Sequence, residues 1–273
     1  MTVDPHTPRA GRAGLGRGPA GSSRAYFVTG TDTEIGKTKV TAGLTWLAAS
    51  RGLRAAAIKP LAAGQEFVDG RWVNEDVQRL REASNMDLSD AEVGPLQLRT
   101  PCAPHIAAQL EGVAIERAPL LAAVRGVAAR AEIAFVEGVG GFRVPLIPPP
   151  PGRPKEAEPP SGGGTRLRGP GGEQVQGWDT ADLAVDLGLP VILVVGLRLG
   201  CINHALLTAE AIRARGLALA GWVANTVDPD MPHVADNLAA LAQGLAVPCR
   251  GHVPRLPNPT PAAVAAFLTL PLA

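Results

Sequence analysis

A strand followed by a glycine-bounded loop, a Lys-Thr pair and a helix is the feature that most constrains what this chain can fold into. Residues 27–38 read FVTGTDTEIGKT, after an apolar run over 25–28 and before a helical pattern over 37–50. Such a loop turns successive backbone N–H groups inward, where they bind phosphate oxygens, and the helix start adds the positive end of its dipole. The segment therefore predicts a phosphate-binding P-loop.

The loop departs from the usual P-loop spacing, because five residues rather than four separate Gly30 from Gly36. In a P-loop, Lys37 would reach the β- and γ-phosphates and the Thr38 hydroxyl would hold Mg²⁺. The alternative is a chance glycine-rich turn. The strand before the loop and the helix after it favour the nucleotide site.

Composition limits the class of protein. Hydrophobic residues form 46% of the 273 residues, enough for one large α/β domain or two small ones. The net charge of +1 gives no electrostatic reason to expect nucleic acid, and no apolar run approaches the ~18 residues of a membrane span. Cys102, Cys201 and Cys249 are odd in number and widely spaced, with no CxxC pair, which favours reduced thiols over a disulfide or zinc framework. We therefore expect a cytoplasmic protein without nucleic-acid or membrane partners.

Two segments are of low complexity. Residues 1–24 are rich in Gly, Ala, Arg and Pro, and we expect a disordered N-terminal extension. A transit peptide is the alternative, against which Pro5, Pro8 and Pro19 argue. Residues 146–176 are rich in Pro and Gly and predict a mobile loop insertion. The remainder of 25–273 is predicted as a single domain.

Apolar strands alternate with helical patterns along the rest of the chain. The run PVILVV (190–195) is apolar on both faces, as central parallel strands are. Further strands are predicted over 55–59, 132–137, 217–224 and 249–253, and helices over 75–83, 117–130, 203–215 and 234–245. This alternation predicts an α/β, P-loop NTPase-like fold with a mostly parallel central sheet and helices on both faces.

Charged residues follow two of these strands. Glu137 ends its strand directly before Gly138, and an acidic residue at this place in P-loop proteins holds Mg²⁺, usually through water. Lys59 ends another strand, at the sheet edge where ligands bind. The alternative for Glu137 is a surface carboxylate before a flexible turn, and the alternative for Lys59 is a solvated charge. For Asp76 we predict one of two roles, a cap of the short helix over 75–83 or a metal ligand.

The segment LGCINH (199–204) begins a helix after the central strand. Free N–H groups at such a helix start bind anions such as a carboxylate. Cys201 is expected to be a buried packing residue rather than a nucleophile. For His204 we expect a structural rather than an acid–base role.

Together these segments resemble the dethiobiotin synthetases, P-loop enzymes of biotin biosynthesis. The resemblance spans residues 26–259 and keeps the family's order. It is carried by FVTGTDTEIGKT, IKPLAAG, TPCAPHI, FVEGVGG, PVILVVGLRLGCINHALLT, GWVAN and HVPRLPNP. The five-residue spacing of the P-loop is the form that this family has.

The resemblance implies a reaction and its ligands. The diamine 7,8-diaminopelargonate takes up CO₂, supplied as CO₂ or bicarbonate, to form an N-carbamate. ATP phosphorylates the carbamate to a carbamic-phosphoric anhydride. The second amine then closes the ring, giving dethiobiotin, ADP and phosphate. Mg²⁺ is the implied cofactor, ATP the co-substrate and a homodimer the implied assembly.

The resemblance also implies residue roles. Thr33, Lys37 and Lys59 act on the carbamate and the transferring phosphoryl group, and Asn225 reads the adenine. The implied Mg²⁺ ligands are Thr38, Asp76 and Glu137. The implied nucleotide-binding residues are Glu34, Ile35, Gly36, Lys37, Thr38, Lys39, Asp76, Glu137, Gly138, Val139, Gly140, Asn225, Thr226, Pro254, Arg255 and Leu256. The implied substrate-binding residues are Thr33, Lys59, Ala63, Gly200, Cys201 and Asn203, with the segment from Gly200 reaching the substrate carboxylate from the partner subunit.

One departure and two rival classes remain. Ala63 stands where the family has Ser or Thr, which removes a hydrogen bond worth ~0.5–1.5 kcal/mol. Partitioning and cell-division ATPases share the fold but carry a Lys early in the P-loop, where this chain has Gly-Thr-Asp-Thr-Glu. Cobyrinate-type amide synthetases need a glutaminase domain, for which the residues after Val253 leave no room.

Overall fold

Residues 24–148 and 177–271 are described by a computed structural model of the chain. The strands are β1 (Arg24–Gly30), β2 (Ala55–Ile58), β3 (Leu61–Ala63), β4 (Glu66–Val68), β5 (Arg71–Val73), β6 (Leu96–Leu98), β7 (Ile133–Glu137), β8 (Pro145–Ile147), β9 (Trp178–Asp179), β10 (Val191–Leu197), β11 (Leu219–Thr226) and β12 (Cys249–Val253). The helices are α1 (Lys37–Ser50), α2 (Glu75–Ala83), α3 (Asp90–Val93), α4 (Pro104–Glu111), α5 (Arg117–Arg130), α6 (Thr180–Leu187), α7 (Cys201–Ala214), α8 (Val234–Leu245) and α9 (Pro261–Ala265).

Six strands form the central sheet in the order β12-β11-β10-β1-β7-β2, and every neighbouring pair is parallel. In β1, Phe27 is in register with Val191 on one side and Val136 on the other. The strands therefore end at one common edge, which carries the P-loop. The predicted parallel sheet is confirmed.

Helices cover both faces of the sheet. On one face Val40 and Leu44 of α1 and Val264 of α9 share a hydrophobic core with Val28. Phe27 belongs to the core of the other face, which also contains Leu80, Val124, Ile212 and Leu241 from α2, α5, α7 and α8. Successive residues of β1 point to opposite faces of the sheet, so this one strand contributes side chains to both hydrophobic cores. This arrangement confirms the predicted fold class.

The limits of the two low-complexity segments require corrections. Arg24 belongs to β1, and its N–H donates to the Glu132 carbonyl (3.1 Å), so the predicted extension is one residue too long. The predicted insertion begins too early, because Leu146 is buried in β8, which pairs with β9. The predictions for 1–23 and 149–176 lie outside the described residues.

Several predicted element limits also shift. β2 ends at Ile58, and the N–H of Lys59 donates instead to the Val93 carbonyl (2.7 Å). α7 begins at Cys201, two residues earlier than predicted, because Gly200 adopts φ 92° and forms its N-cap. Across residues 24–148 and 177–271, none of the helices combines the length and apolarity needed to cross a membrane.

Candidate active site

The P-loop is braced by the end of β11. Gly36 adopts φ 89°, a left-handed conformation that favours glycine, and an added Cβ would lie 2.3 Å from Asn225 Nδ2. The same Nδ2 donates to the Ile35 carbonyl (2.8 Å), and Asn225 is buried. Only glycine fits between the loop and this amide. Glu34 also has a positive φ of 59° and is exposed.

Lys37 is the first residue of α1 and is buried. Its Nζ donates to the Asp32 carbonyl (2.7 Å) inside the P-loop. Burial lowers the pKa of Lys37 to about 8, an effect that the Glu137 charge opposes and the Lys59 charge reinforces. Lys37 therefore holds its proton less tightly than an ordinary lysine does. Lys39, by contrast, is exposed.

Four side chains form what we call the charged cluster: Thr38, Lys59, Asp76 and Glu137. Strand register creates it, because Ile58 pairs with Val136 and so brings Lys59 level with Glu137. Lys59 Nζ donates to Glu137 Oε1 (2.6 Å) and to Asp76 Oδ2 (2.7 Å). Burial alone lowers the pKa of Lys59, but Glu137 and Asp76 together raise it well above its usual value. Lys59 is therefore a fixed cation.

The two carboxylates of the charged cluster differ in their surroundings. Burial raises the pKa of Asp76, but the charge and hydrogen bond of Lys59 outweigh it and leave the pKa below its usual value. Glu137 is fully buried, and its Oε1 also accepts from Thr38 Oγ1 (2.8 Å). Its Oε2 has no hydrogen-bond partner within the part of the chain that the structure describes.

These groups fit the predicted Mg²⁺ site. Magnesium prefers carboxylate and hydroxyl oxygens and keeps several waters when it binds beside phosphates. The Thr38 hydroxyl and both carboxylates converge beside the P-loop, and the unsatisfied Glu137 Oε2 offers a buried acceptor that a cation or its water would satisfy.

The glycines after Glu137 lie against the P-loop. The Gly138 N–H donates to the Val28 carbonyl (2.9 Å), and an added Cβ would lie 2.9 Å from the Phe27 ring. A Cβ on Gly140, which has φ 62°, would lie 3.6 Å from Thr33 Oγ1. The structure thus brings Thr33 and the segment from Gly138 through Val139 to Gly140 together.

Sequence analysis missed an ion pair at the P-loop. The Arg198 guanidinium hydrogen-bonds Asp32 Oδ2, and the Thr33 N–H donates to Asp32 Oδ1 (2.8 Å). The Thr33 bond and the Arg198 charge hold the pKa of Asp32 below its usual value, against the effect of burial. The sequence offered one signal for this ion pair, since Asp32 lies within the P-loop and Arg198 directly precedes LGCINH, and both segments follow central strands.

The predicted base pocket lies at the ends of β11 and β12. Thr226 Oγ1 is 2.9 Å from His252 Nε2, and burial lowers the pKa of this histidine. Arg255 is exposed and donates to the Val227 carbonyl (3.3 Å). Two half-buried residues flank it, Pro254 and Leu256.

The predicted carboxylate site at the start of α7 is open to solvent. Leu199 is 94% exposed, and a Cβ on Gly200 would meet nothing within 4 Å. Cys201 is buried, as expected of a packing residue, while Asn203 is exposed. His204 is also exposed, and its expected structural rather than acid–base role stays a prediction. Ala63 is half-buried at the end of β3.

Fold and site together define a P-loop nucleotide-binding enzyme with a charged cluster at the carboxyl edge of a parallel sheet. A family model described as an AAA domain matches residues 24–148 and 173–263. The chain is 50% identical to the ATP-dependent dethiobiotin synthetase BioD of Aromatoleum aromaticum, over 91% of this chain and 98% of that protein. It is 48% identical to the BioD of Janthinobacterium sp. (strain Marseille), over 89% and 92% respectively. The chain therefore belongs to the dethiobiotin synthetase family.

Among solved structures, the cell-division ATPase MinD of Pyrococcus furiosus is similar with a TM-score of 0.47 and 17% identity, covering 90% of each chain. A ParA-family ATPase of Chlorobium tepidum gives a TM-score of 0.47 and 10% identity, covering 90% of this chain and 91% of that one.

Proposed function

We propose that this chain is an ATP-dependent dethiobiotin synthetase, which converts 7,8-diaminopelargonate, CO₂ and ATP into dethiobiotin, ADP and phosphate. The observation that carries the proposal is that two buried lysines lie close together at one edge of the sheet. Lys37 comes from the P-loop side and Lys59 from the end of β2. A reaction that joins two anions needs such fixed positive charge.

The chemistry explains this need. One amine of the diamine adds to CO₂, forming a C–N bond and losing a proton, which gives an anionic carbamate. A carbamate oxygen then attacks the γ-phosphorus of ATP, the bond to the β–γ bridging oxygen breaks, and ADP leaves. The second amine attacks the carbamoyl carbon, phosphate departs with its oxygen, and loss of a proton leaves the closed ureido ring.

The second step brings the carbamate against the γ-phosphate, and both are negative. Phosphoryl transfer leaves little covalent work to the protein, so positioning and electrostatic stabilisation account for most of the catalysis. Lys59, held between Asp76 and Glu137, supplies a cation that cannot move away. Lys37 adds a second cation at the helix start, where the dipole also favours anions.

Magnesium would be held by Thr38, Asp76 and Glu137, and when bound it would neutralise phosphate charge. On the nucleotide side, we propose that the base lies at the ends of β11 and β12, near Asn225 and Thr226. The glycines after Glu137 let this loop pack closely beside Thr33, on the side where we place the phosphates.

We also propose a homodimer in which the start of α7 binds the substrate carboxylate of the other subunit. Exposed apolar side chains support an interface there, since Leu199 is 94% and Leu207 57% exposed. The backbone N–H groups after Gly200 lie at the positive end of a 14-residue helix.

The deciding experiment incubates the protein with the diamine, ¹³C-bicarbonate and Mg·ATP. We expect dethiobiotin that carries one ¹³C in its ureido carbonyl, formed in equal amount to the phosphate released. Mass spectrometry and a phosphate assay measure the two products. Phosphate release without labelled dethiobiotin would show an ATPase and contradict the proposal.

A further inference from the structure

The hairpin β4–β5 separates two parts of the proposed site. On its N-terminal side lies Ala63, at the end of β3 and proposed to contact the diamine. On its C-terminal side α2 begins, and Asp76 in its first turn pairs with Lys59. The residues of the hairpin (66–73) are mostly exposed, so the hairpin itself contributes little packing that would fix the distance between these two sides.

Asn74 closes the base of this hairpin with a buried carboxamide. Its Nδ2 donates to the Gly64 carbonyl (2.9 Å) and, less directly, to the Ala63 carbonyl (3.4 Å). Its Oδ1 accepts from the Val77 N–H (3.2 Å) and so caps α2. The residue is 4% exposed, so water does not compete for these bonds.

The segment on the far side of Asn74 is anchored independently. The Gly64 N–H donates to the Leu98 carbonyl (3.0 Å) of β6, and Gly64 adopts φ 86°. A Cβ on Gly64 would lie 3.2 Å from Pro101. The amide of Asn74 therefore connects two rigid elements, the β3–β6 pair and the start of α2.

Capping alone does not explain an asparagine here. Ser and Asp cap helices about as well as Asn does, and Thr caps them less strongly, because each supplies an acceptor oxygen. Asp has no donor and the hydroxyls of Ser and Thr are too short to reach, so among these residues only the carboxamide of Asn also donates to the carbonyls on the Ala63 side. We infer that Asn74 is a positioning residue, which sets the distance between the diamine-contacting end of β3 and the Asp76–Lys59 pair. The inference rests on the proposed function.

The test removes the donor while keeping the cap. Asn74→Ser is too short to reach Gly64, and Asn74→Asp keeps the size but has no donor. We expect each to raise the KM for the diamine about tenfold, because small misplacements of reacting groups are costly. The KM for ATP should stay within about twofold, since the P-loop contacts are untouched. Diamine affinity, measured by calorimetry with a non-hydrolysable ATP analogue, should fall by a similar factor.

A matched variant separates positioning from stability. Thr260 caps α9 by accepting from the Ala263 N–H (3.2 Å), and α9 carries no proposed site residue. Thr260→Ala should lower Tm without changing either KM. Asn74→Ala, which loses both cap and donor, should show the lowered Tm and the raised diamine KM together.

The outcomes are distinct. Diamine KM and affinity within twofold of wild type in both Asn74→Ser and Asn74→Asp would overturn the inference. The inference would also be overturned if the KM values for diamine and ATP rose equally, in proportion to the loss of Tm. An inactive wild-type protein would instead overturn the proposed function, and the inference with it, before any variant is compared.

Discussion

Lys59 Nζ lies 2.6 Å from Glu137 Oε1, with side-chain exposures of 5% and 0%. A buried ion pair adds little net stability compared with apolar residues of the same volume, because desolvation offsets the attraction. Breaking such a pair is strongly destabilising, since one charge is left buried alone. Net folding stability therefore does not explain this pair, whereas the proposed reaction gives it a role.

Replacement of Lys59 by Met should separate these effects. We expect turnover to fall by about 10²–10³-fold, the usual loss for one preorganised charge or donor at a transition state. Stability should fall by about 3–5 kcal/mol, because Glu137 stays buried without its cation. Single-turnover kinetics and urea unfolding measure the two losses. Near-normal turnover would show that Lys59 does not act on the carbamate or the phosphoryl group.

A second substitution provides the control. Lys59→Met combined with Glu137→Leu removes both charges of the pair, so much of the lost stability should return while turnover stays low. Recovered stability with no recovered turnover would show that inactivity does not result from unfolding. If the double variant were no more stable than Lys59→Met, the unpaired carboxylate would not be the cause.

The lowered pKa of Lys37 predicts a pH dependence with a definite sign. The pKa falls from 10.5 to about 8 on folding. Below pH 8 the folded and unfolded chains both hold the proton. Between about 8 and 10.5 the unfolded chain binds more protons, so the contribution of Lys37 to stability rises with pH across this window. Urea unfolding of wild type and Lys37→Met across the window should show the difference.

Binding of ATP should reverse the shift, because phosphate oxygens favour the charged lysine. At a pH just above 8, ATP binding should therefore take up a fraction of a proton. Titration calorimetry in two buffers of different ionisation enthalpy measures this uptake, and Lys37→Met should abolish it. Equal proton uptake by wild type and Lys37→Met would place the titrating group elsewhere.

Local signals made part of this site predictable. The glycines and the Lys-Thr pair gave α1 over Lys37–Ser50 in full, because loop, helix start and helix pattern are contiguous. Lys59 and Glu137 were expected at strand ends, and parallel register then brings them together. The assigned roles in catalysis and metal binding remain predictions.

Contacts between distant parts of the chain had no local signal. Asn225 was predicted from its motif to read the base, yet its bond to the Ile35 carbonyl depends on the strand order. The same holds for Asp32 and Arg198, which lie on different loops at one sheet edge. The three-residue strands β3 and β6 were missed because so short a run shows no periodicity.

Replacing residues 149–175 by a short Gly-Ser turn should leave the fold intact. Ile147 pairs with Trp178 across β8 and β9, so the ends to be joined are adjacent. Loop-closure free energy changes by only ~0.6 kcal/mol per doubling of length, and 1 kcal/mol corresponds to about 2–4 °C at this chain size. Tm should therefore change by a few degrees, measured by scanning calorimetry. A drop of about 10 °C or more would show that the segment contributes to the core.

Gly200→Val tests the proposed carboxylate site at the start of α7. Gly200 has φ 92°, which a β-branched residue tolerates poorly, while a Cβ there meets no neighbour. The substitution should therefore shift the backbone N–H groups and raise the KM for the diamine more than that for ATP. Gly216→Val, at the other end of α7 with φ 73° and equal space, is the matched control and should change neither KM.

Mixing two variants that are defective in different parts of the site, at a diamine concentration that does not saturate Gly200→Val, tests whether each site is built from both subunits. Lys37→Ala removes the P-loop cation, and Gly200→Val disrupts the carboxylate site that serves the other subunit. In a heterodimer of the two, one site carries both defects and the other carries neither. Random reassortment in a twofold dimer should leave about a quarter of all sites intact. Co-expression with two affinity tags isolates the heterodimer, in which half of the sites should work. A verified heterodimer without activity would show that each site lies within one subunit, and would leave the fold and the nucleotide site unaffected.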